Sequence, residues 1–99
     1  MSVMDKRFDI SEFVNAETEQ SALADLVKRE RQRRNELRLT QKELAVKSGV
    51  SYASVRRFET TGDISLSSLL KIGGAIDCLS DFNGLFKNIR ITNLKDFKL

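Results

Sequence analysis

The sequence predicts an all-α fold, on three observations. Residues 40–60, TQKELAVKSGVSYASVRRFET, hold two short helical patterns that meet at a single glycine. Residues 17–36 are rich in Ala, Leu, Glu, Gln, Lys and Arg and contain neither Gly nor Pro, the composition of a helix. Residues 65–76 set Leu66, Leu69, Leu70, Ile72 and Ile76 along a broad apolar face. Ninety-nine residues suit one domain with one core, and 40% hydrophobic with 31% charged residues is a globular balance.

The elements follow in order. Residues 1–16 form an N-terminal extension without a sustained period. Phe8 and Ile10 alternate around Asp9, which fits a short strand or an arm on a partner as well as a leader without fixed structure. Its acidic excess argues against an arm that embraces DNA. In the helix that follows, Leu23, Leu26, Val27 and Leu37 mark an inward face, with Ala22 near it. Glu30, Arg33 and Arg34 interrupt that face, so either the arginine stems pack while their heads reach water or the helix has another register.

At the start of the 40–60 stretch Thr40 is a good N-cap, and Glu43 stands where the reciprocal acid of a capping box belongs. Leu44, Ala45 and Ser48 continue this helix, and Gly49 ends it where the chain must turn, often with positive φ. Val50 is apolar. Ser51 can cap a second helix whose inward residues are Val55 and Phe58, three apart. Two helices joined by such a turn make a helix-turn-helix, here residues 41–60.

Gly62-Asp63 then turns the chain, and Ser65 caps the next helix. Gly73 and Gly74 inside it each cost about 1 kcal/mol against Ala, so they either let another backbone approach closely or weaken the helix. A last helix is expected from Ser80 through DFNGLFK, with Phe82, Leu85 and Phe86 on one side. These aromatics serve equally well to close the monomer core or to meet a second copy. Residues 88–99 are a C-terminal tail in which IRIT is a brief strand signal. A strand there would need a partner, such as its symmetry mate, Phe8 to Ile10, or another protein.

The spaced set Gln41, Ala45, Gly49, Val50, Val55, Phe58 and Glu59 resembles the Cro/C1-type (XRE-family) helix-turn-helix, and the likeness extends over roughly residues 20–87. It implies a five-helix, lambda-repressor-like DNA-binding domain at residues 17–87, between the two extensions. Leu44, Ala45, Gly49, Val50, Val55 and Phe58 would be the motif core. By the same resemblance Gln41 clamps a phosphate with its side chain and amide, with Thr40, Lys42 and Arg57 as weaker candidates. Tyr52 and Ala53 hold the positions that usually touch bases, and Arg56 lies one turn on. Ser51 is a cap first and a DNA contact second.

Physical chemistry gives these assignments their content. Arginine grips guanine O6 and N7 with two bonds, and an alanine methyl suits thymine. Tyr52 stands where glutamine or serine is common, so stacking on sugar and phosphate is the alternative to reading a base. The free N–H groups and positive dipole of a helix start favour a phosphate at Gln41. One such motif makes few contacts, so a homodimer on a palindromic double-stranded DNA operator is expected, with half-sites about 34 Å apart.

Charge agrees with that placement. Residues 21–60 hold ten Lys/Arg against five Asp/Glu, whereas residues 1–20 hold two against five. The positive field therefore lies on the motif and the helix before it. Along that helix and just after it, Lys28, Arg29, Arg31, Arg33, Arg34 and Arg38 offer one or two further phosphate contacts.

Other classes are weaker. The chain has no His and one Cys, so neither a thiol-imidazole metal site nor His-based catalysis is expected. Cys78, between Ile76 and Leu79, reads as a small buried residue. There is no phosphate-binding Gly-rich loop and no recognisable nucleophile, so the chain is not expected to be an enzyme or to carry a cofactor. No run is long and apolar enough for a membrane, and the N-terminus lacks a signal-peptide core, so the cytoplasm is the expected compartment. Residues 54–87, together with a tail containing NLKDF, resemble the small regulators encoded beside HipA-type kinase toxins. That resemblance implies an antitoxin that holds its toxin and represses its own operon. The alternative is a protein-interaction module that keeps the fold and acts mainly through a partner protein.

Overall fold

The computed structural model describes residues 17–89. Among them the fold is all-helical, with four α-helices and one 3-10 helix. These are α1 (Glu19–Glu36), α2 (Gln41–Ser48), α3 (Tyr52–Thr61), α4 (Leu66–Ala75) and the 3-10 helix Leu79–Gly84. The strand signals at Phe8 to Ile10 and in IRIT, the N-terminal extension and the NLKDF tail lie outside the described residues, apart from Ile89.

Each α-helix starts on a hydroxyl side chain that accepts a backbone N–H, satisfying a donor the helix cannot. Thr18 caps α1, Thr40 caps α2, Ser51 caps α3 and Ser65 caps α4. Thr40 and Glu43 form the expected reciprocal pair: Glu43 N–H donates to Thr40 Oγ1 at 3.0 Å and Thr40 N–H to Glu43 Oε1 at 2.8 Å. Gly49 closes α2 at φ 78° and Gly62 closes α3 at φ 83°, a region that costs a side chain but not glycine.

The core is small. Leu44 and Ala45 of α2, Val50 of the turn, Val55 and Phe58 of α3, and Ile72, Ala75 and Ile76 of α4 and its end are buried together. Leu26, Val27, Leu37, Leu39, Ile64, Leu69 and Cys78 pack around them. Helices α2, α3 and α4 form the packed centre, and α1 lies against α3.

Two expectations need correction. The buried residues of α1 are Glu30 and Arg34, while Ala22 is exposed and Leu23 is only partly covered, lying over Gly62. Polar burial wins there because Arg34 pairs with Glu59 of α3, as described below. The last helix is a 3-10 turn from Leu79 to Gly84 rather than an α-helix through Lys87. Cys78 supplies no capping side chain and Gly84 interrupts the segment, so only short-range bonds form, such as Asp81 N–H to Cys78 O at 3.0 Å. Phe82 packs on α4, whereas Leu85 and Phe86 stay exposed.

Phe82 also settles the glycine pair. A Cβ on Gly73 would meet the Phe82 ring at 2.6 Å, and one on Gly74 would meet nothing within 4 Å. Gly73 therefore admits an aromatic ring rather than another backbone. No helix among the described residues is long and apolar enough to cross a membrane.

Candidate nucleic-acid interface

The inward residues Val55 and Phe58 are fully buried and fix the roll of α3. Ser51, Tyr52, Ala53, Arg56 and Arg57 are consequently exposed on its start and outer side. Ser51 Oγ accepts the Ser54 N–H at 3.1 Å and donates to Ser54 Oγ at 2.9 Å, so this hydroxyl is committed to the cap. Arg57 Nε lies 3.4 Å from Asp63 Oδ2, which draws it toward the far end of the helix. Arg56 makes no ion pair among the described residues.

Tyr52 links the two helices of the motif. Lys42 Nζ lies 5.4 Å from its ring centroid and the Arg56 guanidinium 5.6 Å. Both are cation–π distances. The ring thus gathers one cation from the start of α2 and one from α3 at the leading edge of the motif. Helical spacing alone sets Arg56 one turn beyond Tyr52, whereas the angle between α2 and α3 brings Lys42 to the same ring.

Gln41 opens α2 and is half-buried. Its Nε2 donates to Glu59 Oε1 at 3.0 Å. One amide hydrogen is therefore taken, which leaves the second and the backbone N–H groups of the first turn. Thr40 is exposed and its hydroxyl oxygen caps α2.

Behind Gln41 lies a buried polar cluster whose members stand far apart in sequence. Arg34 of α1 and Glu59 of α3 are 7% and 4% exposed. Arg34 Nε donates to Glu59 Oε2 and Nη2 to Oε1, both at 2.8 Å, the two-pronged geometry that best suits a guanidinium and a carboxylate. Arg34 Nη1 also donates to Leu39 O at 2.8 Å. Arg31 Nε stands 3.7 Å from Glu59 Oε1. Burial would raise the Glu59 carboxyl, but hydrogen bonds from Arg34, Glu30 and Gln41 outweigh it and hold Glu59 below the ordinary carboxylate range.

Glu30, 6% exposed, completes the cluster. As a carboxylate it would have no donor for either oxygen. Burial first, then its hydrogen bond with Glu59 and the repulsion of that charge, push it up to about 8, against the pull of Arg34 and Arg31. Near neutral pH that favours the protonated carboxyl, which sits beside Glu59. Arg33, the third interruption in the α1 face, donates from Nε to Ile76 O at 3.1 Å and so ties α1 to the end of α4. The signal for these roles was present in the sequence as three charges on an otherwise apolar face.

Among the described residues no group of three or more His, Cys, Asp or Glu is placed to hold a metal ion. A helix-turn-helix family model matches residues 31–81, from the middle of α1 into the 3-10 helix. No curated protein and no solved structure matches the chain significantly.

Proposed function

The chain belongs to the helix-turn-helix family, in its Cro/C1 (XRE) type, a family of DNA-binding regulators rather than enzymes, and from that premise we propose that it is a homodimeric repressor of a palindromic operator. The observation that carries this reading is the start of α3. Its apolar side is sunk in the core while Tyr52, Ala53 and Arg56 face solvent together. That is the arrangement a helix needs to place its first turns on base edges in the major groove.

Arg56 then reads a base, guanine being the best match. Ala53 meets a thymine methyl. Tyr52 stacks on sugar and phosphate while ordering Lys42 and Arg56. Gln41 and the free N–H groups of α2 take a phosphate, with Thr40, Lys42, Ser51 and Arg57 in supporting contacts. The test is selection of bound duplexes from random DNA, followed by two variants. Arg56→Ala should relax preference at one position in each half-site, a loss of about 1–3 kcal/mol there. Gln41→Ala should weaken binding to every sequence alike. Equal effects of both on selected and random DNA would remove the readout assignment.

A second surface supports the dimer and the partner. Leu85, Phe86 and Ile89 follow the 3-10 helix with 57%, 101% and 75% of their surface exposed. An aromatic and two aliphatic side chains so placed favour contact with another chain. We assign this end to the second copy. The likeness of residues 54–87 to regulators of HipA-type kinases supports a further role as an antitoxin that binds its toxin and represses the shared operon. Co-purification with a kinase from the same operon tests that role.

A further inference from the structure

Helix α1 buries a carboxylic acid where its apolar pattern has room for an aliphatic side chain. Glu30 and Glu59 are both buried and face one another, and two such carboxylates repel. A proton on one converts the repulsion into a charge-assisted O–H···O⁻ bond. The proton belongs on Glu30. Glu59 receives both prongs of Arg34 at 2.8 Å, the Gln41 amide at 3.0 Å and the Arg31 charge at 3.7 Å, whereas neither Glu30 oxygen has a donor. Glu59 is thus held by Arg34 on α1, with the Glu30 carboxyl beside it as the one member of the cluster that lacks a donor. Its Oε1 is the atom that fixes Gln41 at the start of α2.

We propose that protonated Glu30 is a positioning residue for the DNA-phosphate contact of Gln41: it locks Glu59, and Glu59 locks the Gln41 amide at the start of α2. This inference rests on the DNA-binding reading above and deepens it, since it makes operator affinity depend on a proton in the core. The charged groups that face Glu30 are Glu59 from α3 and Arg31 and Arg34 from α1 itself. Helix α2 faces the cluster with Gln41, which does not titrate. When Glu30 loses its proton, two adjacent negative charges compete for Arg34, and Glu59 gives up its fixed place beside Gln41. Because the Glu30 carboxyl is raised to about 8, that loss falls on the alkaline side of neutrality.

The test measures affinity of the full chain for a selected duplex at constant ionic strength, from about pH 6 to about pH 9.5. Wild type should weaken by about five- to tenfold across this range, the size of one typical net hydrogen bond. Glu30→Gln keeps an N–H donor and cannot ionise, so its affinity should stay flat. Gln41→Ala should begin weaker and also stay flat, which a general loosening of the fold would not produce. In the free protein, the side-chain amide resonances of Gln41 should shift with the Glu30 titration in wild type and not in Glu30→Gln. The inference is overturned if wild-type affinity ignores pH, if the same pH dependence survives in Gln41→Ala, or if the Gln41 resonances do not move. Should Glu30→Gln fail to fold, wild type, Gln41→Ala and the resonances still decide. Failure to bind any duplex at any pH would instead refute the DNA-binding reading, and the resonance titration would still judge the link from Glu30 to Gln41.

Discussion

Arg34, Glu59 and Glu30 concentrate ionic chemistry in a core of only a few large side chains, and their energetics are asymmetric. A buried pair gains little over apolar packing, yet removing one member strands the other in a poor solvent. Arg34→Met should therefore cost about 3–5 kcal/mol in urea denaturation, because two carboxyls lose their cation. Replacing Arg34, Glu30 and Glu59 together by apolar residues of similar volume should recover most of that loss. The stability also has a definite pH slope. Folded Glu30 keeps its proton up to about 8, whereas a free glutamate loses it near 4.5. Between those limits the folded chain binds more protons, so the Glu30 contribution makes stability fall as pH rises, with no further fall above. Glu59 acts in the opposite sense: its lowered carboxyl stabilises the fold above the ordinary carboxylate range and ceases to do so on acidification. Glu30→Gln should accordingly melt above wild type by about 5 °C or more at alkaline pH. That gap should open from about pH 4.5 and stop widening above about pH 8.

The helices differ in what sustains them. Helix α2 has eight residues, too few to persist alone in water; its capping box, its Gly49 end and the burial of Leu44 and Ala45 maintain it. Helix α4 carries two glycines with opposite consequences. Gly74 faces open space, so Gly74→Ala should stabilise by about 0.4–1 kcal/mol through the unfolded chain. Gly73→Ala drives a methyl into the Phe82 ring at 2.6 Å and should destabilise by about 1–3 kcal/mol. Thermal melts of the two single variants shifting in opposite directions would bear this out. The same contact explains why the segment after α4 stays close to it: Phe82 is the side chain that anchors the 3-10 helix.

For the whole molecule, the arrangement separates two surfaces. The start of α3, with Tyr52 between Lys42 and Arg56, gathers the cationic and aromatic groups. The end of the described chain gathers Leu85, Phe86 and Ile89. If the second surface joins two copies, Phe86→Glu should produce a monomer in light scattering with its melting temperature nearly unchanged, since Phe86 touches little of its own chain. Operator binding should then weaken steeply, because two half-sites would no longer be held together. A dimer that survives Phe86→Glu and Leu85→Glu together would move the interface elsewhere.

Local interactions were legible from residue order. The four α-helices, the Thr40–Glu43 box, the Gly49 turn and the inward placing of Val55 and Phe58 all depend on neighbours three or four positions away, so helical period and capping chemistry determined them. The tertiary structure decided everything that joins distant positions. Arg34 meets Glu59 across 25 residues, and only the packing of α1 on α3 shows that charges on an apolar face satisfy one another rather than reach for water. Lys42 reaches Tyr52 for the same reason, whereas Arg56 lies one turn along the same helix. The fifth helix is present, but as a 3-10 turn shorter than its composition suggests, because Gly84 and the missing cap shorten it. The physical reason is common to the two long-range contacts: a side chain's partner across the fold is set by the angle between helices, and no period within a single helix encodes that angle.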